Sequence, residues 1–169
     1  MDHGQNASSP GAANAPVALQ FIDTMIVHHQ GAIDMSKLAE TRAAAPELTK
    51  FAAAVIADQE REIAELKRWR KDWFGEAAPT INMEMPGMKM SDSHGADVDL
   101  TRLSGKDFDL EYVRQMIPHH EGAIEMSKAF LSDPKAASKI ELKKLADSII
   151  KAQEGEIMLL KEWQSKWAK

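Results

Sequence analysis

An all-α fold is what the sequence predicts: a four-helix bundle built from two repeated helical hairpins joined by a long Met-rich crossover. Three observations predict it. The segment 25–37, Met-Ile-Val-His-His-Gln-Gly-Ala-Ile-Asp-Met-Ser-Lys, recurs at 116–128 as Met-Ile-Pro-His-His-Glu-Gly-Ala-Ile-Glu-Met-Ser-Lys, an offset of 91. A second block, Gln59 to Ile63 with Leu66, Trp69 and Trp73, recurs as Gln153 to Ile157 with Leu160, Trp163 and Trp167, an offset of 94. Both blocks carry apolar residues at helical rather than strand spacing, and the residues between them are good helix formers.

Each element follows in order. Residues 1–16, rich in Gly, Ala, Ser, Asn and Pro, are expected to be a flexible leader that does not pack. It lacks the apolar run of a signal peptide. Such a leader often follows a removed export signal, although a cytoplasmic start would look the same. A single domain then fills 17–169, with a first hairpin at 17–75, a crossover at 76–104 and a second hairpin at 105–169. Helices are predicted over 17–43, 47–74, 105–131 and 136–168. Pro46 and Pro134 sit where a helix can begin, Asp133 is a candidate N-cap, and Ser104 with Asp107 resembles a capping box. The three extra residues of the second hairpin fall near Ser132-Asp133-Pro134. Pro118 removes a backbone donor and is expected to kink the third helix. Gly31 and Gly122 each cost about 1 kcal/mol of helix stability relative to Ala, which points to close approach of a neighbour.

Composition narrows the function. At 169 residues the chain is one ordinary domain. With 44% hydrophobic and 28% charged residues it is globular rather than disordered. A net charge of -5 and no basic stripe give no attraction for nucleic acid or anionic lipid. No apolar run approaches the ~18 residues of a membrane span. There is no Cys, so thiol catalysis, disulfides and Cys-ligated metal are excluded, and the soft donors left are ten Met and six His.

Those donors cluster. Met25, His28, His29 and Met35, with the copies Met116, His119, His120 and Met126, fall within about a third of the helix circumference at ~100° per residue. Imidazole with thioether is a soft, uncharged ligand set. It suits Cu(I) or Ag(I) far better than Mg or Ca, and rejects zinc less sharply. The crossover adds Met83, Met85, Met88 and Met90, followed by His94, where alternating thioethers in a Pro-Gly segment can wrap a soft monovalent ion. Because the loop is joined to the helices by flexible residues, its site is expected to be independent of the bundle. The helical seams supply a third group. His29 and His120 lie in the seams of the first and third helices, and Gln59, Glu62, Gln153 and Glu156 interrupt those of the second and fourth at the same level. This is either a buried hydrogen-bond network or a Zn or Fe site, since buried polar groups need partners.

These paired His-His motifs and the Gln-x-x-Glu-Ile motifs with their Trp residues resemble the bacterial family 305 of the domains of unknown function. The resemblance covers about 17–168 and implies a ferritin-like four-helix bundle. It also implies copper handling outside the cytoplasm, with Met25, His28, His29, Met35 and their copies as the residues concerned. The crossover is similar to the Met motifs of periplasmic copper carriers. The expected function is non-enzymatic: a periplasmic or exported protein that sequesters or transfers Cu(I), and Ag(I), contributing to copper tolerance, with a copper efflux or carrier protein as partner. Two alternatives stand beside it, a ferritin-like metalloenzyme with a buried His/Glu Zn or Fe site and a structural bundle without ligand.

Overall fold

A computed structural model describes residues 7–89 and 97–169. Four long helices make up its body: α1 (Val17–Arg42), α2 (Pro46–Phe74), α3 (Gly105–Ser132) and α4 (Ile140–Trp167). They fall within one to four residues of the sequence-based bounds. The α1–α2 turn is short because Pro46 starts α2 at once, and Asp109 of α3 accepts from the turn amides of Ala44 (3.0 Å) and Ala45 (2.9 Å). Before α4 the chain takes a 3₁₀ turn, Pro134–Ser138. Asp133 caps that turn, accepting from the Lys135 amide, so it is not the N-cap of α4 as expected. Ser104 precedes α3 in extended conformation but makes no side-chain cap, which removes the capping box. Pro118 lies inside α3, which runs unbroken through it.

α1 packs along α2 and α3 along α4, and the two hairpins meet chiefly across α1 and α3. Opposed rings set their direction: Phe21 near the start of α1 stacks on Phe130 near the end of α3, with centroids 4.5 Å apart. α1 and α3 are therefore antiparallel. Apolar side chains gather in two groups rather than one. At one end Met35, Leu48, Phe51, Val55, Phe108, Tyr112, Met116, Leu160 and Trp163 pack together. At the other end Phe21, Ile22, Met25, Leu66, Trp69, Met126, Phe130, Leu142 and Ile149 do the same. Each group draws on both hairpins, and the polar residues of the seams form a belt between them. Burying a large apolar side chain contributes roughly 1.5–3 kcal/mol, so the two ends stabilise the bundle and the belt must be held by its own bonds.

The leader differs from expectation. Of residues 7–16, Ala12 is buried, Ser9 exchanges two hydrogen bonds with Ile81, and Ser8 Oγ accepts from the Met83 amide at 2.9 Å. The Gln20 amide then reaches back to the carbonyl of Ala15 at 2.7 Å. Small residues let this backbone lie close to the crossover, and its hydroxyls supply partners that hydropathy cannot register.

Candidate metal centre

The belt is built around the two repeated glycines. Gly31 of α1 faces His119 of α3: a Cβ placed on it would stand 3.1 Å from Nε2. Gly122 of α3 faces His28 of α1 in the same way, at 3.2 Å. Absence of a side chain at each glycine thus makes a ledge for the imidazole of the opposite repeat. The two rings, His28 and His119, stack with centroids 3.9 Å apart. Burial, and then the neighbouring His119, His29 and His120, push the His28 pKa well below its ordinary 6.5. Two stacked imidazolium ions would repel each other in a dry site, and His28 is held neutral with a lone pair to offer.

One residue further, His29 and His120 are fully buried. Nε2 of His29 hydrogen-bonds Glu62 Oε2, and Nε2 of His120 hydrogen-bonds Glu156 Oε2. A carboxylate only accepts, so each ring donates from Nε2 and, when neutral, bears its lone pair on Nδ1. Both Nδ1 atoms are buried without a hydrogen-bond partner, as are the Oε1 atoms of Gln59 and Gln153. An imidazole oriented by a carboxylate on one nitrogen and open on the other is the arrangement that metal-ligating histidines use. Of the polar group foreseen in the seams, the two His–Glu bonds are present, while Gln59 and Gln153 do not join them among the described residues. Among the described residues, no three His, Asp or Glu side chains converge to hold a metal.

The bundle thioethers flank the belt. Met25 and Met126 lie together in one apolar end, Met35 and Met116 in the other, each at most 4% exposed. The first part of the crossover, residues 76–89, is bonded to α1 rather than joined to it by a free tether. Asp23 of α1, a carboxylate inside an apolar run, takes the Arg70 guanidinium together with the amide and hydroxyl of Thr80. Thr24 Oγ1 accepts from the Asn82 amide at 2.9 Å. Thus pinned to α1, the loop buries Met85 in the same apolar group as Met25, Met126 and Phe130, with Met88 packed against that group, while Met83 is half-buried and its amide bonds Ser8. Gly87 lies against Gly122, where any Cβ would collide with backbone. Met90 and His94 lie outside the described residues.

The pins were not singled out from the sequence. Asp23 carried the one available signal, a charge at an apolar-face position. Tyr112 is likewise new: its hydroxyl pairs with Ser36 Oγ at 2.7 Å. The counterpart of Tyr112 in the first repeat is Phe21, which has no hydroxyl, and Ser127, the counterpart of Ser36, is buried with its Oγ unpartnered. The repeats are thus similar in frame and different in detail.

Comparison with known proteins agrees with this frame. The family described as Domain of unknown function (DUF305) matches residues 18–164. CopM in the Cu(II)-bound form is 39% identical, with a TM-score of 0.69 over 89% of this chain and 97% of that one. CopM in the Cu(I)-bound form is 35% identical, with a TM-score of 0.70 over 90% and 98%. CopM is also known in an Ag-bound form obtained by soaking, 36% identical, with a TM-score of 0.69 over 90% and 98%. A DUF305 protein from Streptomyces coelicolor, proposed to be secreted, is 26% identical, with a TM-score of 0.73 over 90% and 93%. No curated protein matches.

Proposed function

The chain belongs to the DUF305 family, and from that premise we propose that it binds Cu(I), and Ag(I), as cargo through the imidazoles and thioethers of the belt. The observation that carries this reading is the pair of buried His–Glu couples, each leaving one imidazole nitrogen unpartnered, set between two Met pairs. A divalent hard ion prefers carboxylate and carbonyl oxygen, whereas a soft monovalent ion prefers uncharged nitrogen and sulfur. His28 held neutral and the non-titrating thioethers of Met25, Met35, Met116 and Met126 form such a set. The likeness to CopM, known with Cu(I), Cu(II) and Ag bound, supports it.

The protein works as a binder, not an enzyme, and sequesters or hands on copper outside the cytoplasm to an efflux or carrier protein. Its lack of Cys suits an oxidising compartment, since thioether and imidazole hold copper without a thiol to oxidise. The test is an anaerobic Cu(I) titration with metal analysis of wild type and of His28→Ala/His119→Ala. Bound Cu(I) without turnover, lowered in the variant at unchanged helicity, is the expected result. Full wild-type stoichiometry in the variant would remove His28 and His119 from the ligand set and leave His29 and His120 as the imidazoles to test.

A further inference from the structure

We infer that the crossover completes only one of the two pseudo-equivalent sites, so that the chain has one capped, thioether-rich site and one uncapped site. This rests on the copper-binding reading above. The repeat alone would give Gly31 and Gly122 the same surroundings. They differ: among the described residues, a Cβ at Gly31 would meet within 4 Å only His119, whereas one at Gly122 would meet both His28 and the backbone of Gly87. There is one crossover for two ledges, and it covers the ledge at His28.

The sulfur distribution follows the same division. Around the His28 ledge, Met25 and Met126 of the bundle are joined by Met85 and Met88 of the loop. Among the described residues, the end that holds Met35 and Met116 receives no loop methionine, and Met158 of α4 points to solvent at 73% exposure. The pins on α1, from Asp23 to Thr80 and from Thr24 to Asn82, hold the loop in this register rather than letting it sample both ledges. The capped site therefore has one imidazole and, in the apolar end beside it, four thioethers for a soft monovalent ion. The uncapped site offers His119 with Met35 and Met116. The first retains its ion, and the second exchanges it more readily.

The experiment is an anaerobic Cu(I) titration of the full chain in competition with a chromophoric Cu(I) chelator. Wild type should show two classes of site. Met85→Leu/Met88→Leu, which keeps the apolar volume, should weaken the tighter class by at least about tenfold, the scale on which changes around a metal site act, and leave the weaker class in place. Met35→Leu/Met116→Leu should do the reverse. Gly122→Ala, which displaces Gly87, should act like the loop variant, and Gly31→Ala should not. A loop variant that changes both classes equally, or neither, overturns the inference, as does a single class in the wild type. Wild-type protein that takes no Cu(I) from the chelator overturns the copper reading itself, and circular dichroism of each variant confirms that the bundle is folded.

Discussion

Glu62→Leu tests whether the belt is a structural network in its own right. The ring of His29 is completely buried and the Glu62 side chain is 15% exposed, so the bond between them is largely shielded from solvent. Nδ1 of the same ring has no partner. Removing the carboxylate leaves the imidazole with no hydrogen bond at all, and water cannot reach it without opening α1 from α2. Stranding such a buried donor costs about 1–3 kcal/mol. For a chain of this size each kcal/mol lowers Tm by about 2–4 °C. The assay is urea unfolding of the metal-free protein, with the midpoint expected to fall at an unchanged slope, so that the change is in stability and not in the unfolded chain. Replacing both partners, His29→Leu with Glu62→Leu, exchanges a polar pair for apolar volume and should recover most of the loss. Wild-type stability in the single variant, or a double variant no better than the single one, would refute the argument.

Three other outcomes are expected. Metal-free stability should be highest above about pH 6.5 and fall as pH drops toward the depressed folded pKa of His28, by up to about 1.4 kcal/mol per pH unit. The unfolded chain binds a proton there that the native site, buried and then crowded by His119, His29 and His120, refuses; urea midpoints across that range should slope in the wild type and flatten in His28→Gln. Ser36→Ala leaves the fully buried Tyr112 hydroxyl unpartnered and should cost about 1–3 kcal/mol, whereas Ser127→Ala deletes an already unpartnered hydroxyl and should be neutral or stabilising, a contrast that parallel thermal melts would decide. Asp23→Ala breaks a largely buried pair with Arg70 and the Thr80 contacts, which should cost about 3–5 kcal/mol and hasten tryptic cleavage after Lys89; equal cleavage rates would mean that the loop is held elsewhere.

What could be read beforehand depended on period. The helices and the level of His29 with Glu62 follow from apolar spacing and from the fold-back near Pro46, both of which are local. Gly31 and Gly122 announced a close neighbour by their helix cost, but not that each would receive the imidazole of the other repeat. The placement of the crossover has no period at all. It rests on Ser8, Ser9, Asp23 and Thr24, single polar groups that find backbone amides about 60–75 residues away. The packing of residues 8–15 is illegible for the same reason, since a composition of small residues fits a tether and a close-packed backbone equally well.

Neither apolar end belongs to one hairpin. Phe51 and Val55 share one apolar group with Tyr112 and Leu160 of the other hairpin, Phe51 meeting Trp163 edge-on, and Phe21 and Met25 share the other with Met126 and Leu142, Phe21 stacking on Phe130. A hairpin alone would leave two half-cores facing water, one on each side of a row of polar groups, and would have little reason to stay closed. Folding is then an association as much as a collapse, and the crossover sets the effective concentration at which the second hairpin meets the first. Because the entropy of closing a loop grows only with the logarithm of its length, a change of length outside the stretch held at Thr80, Asn82, Met85 and Gly87 would cost assembly little. Met85 is therefore a position where selection for metal and selection for folding act on the same side chain, since it is buried in the apolar end that closes the bundle.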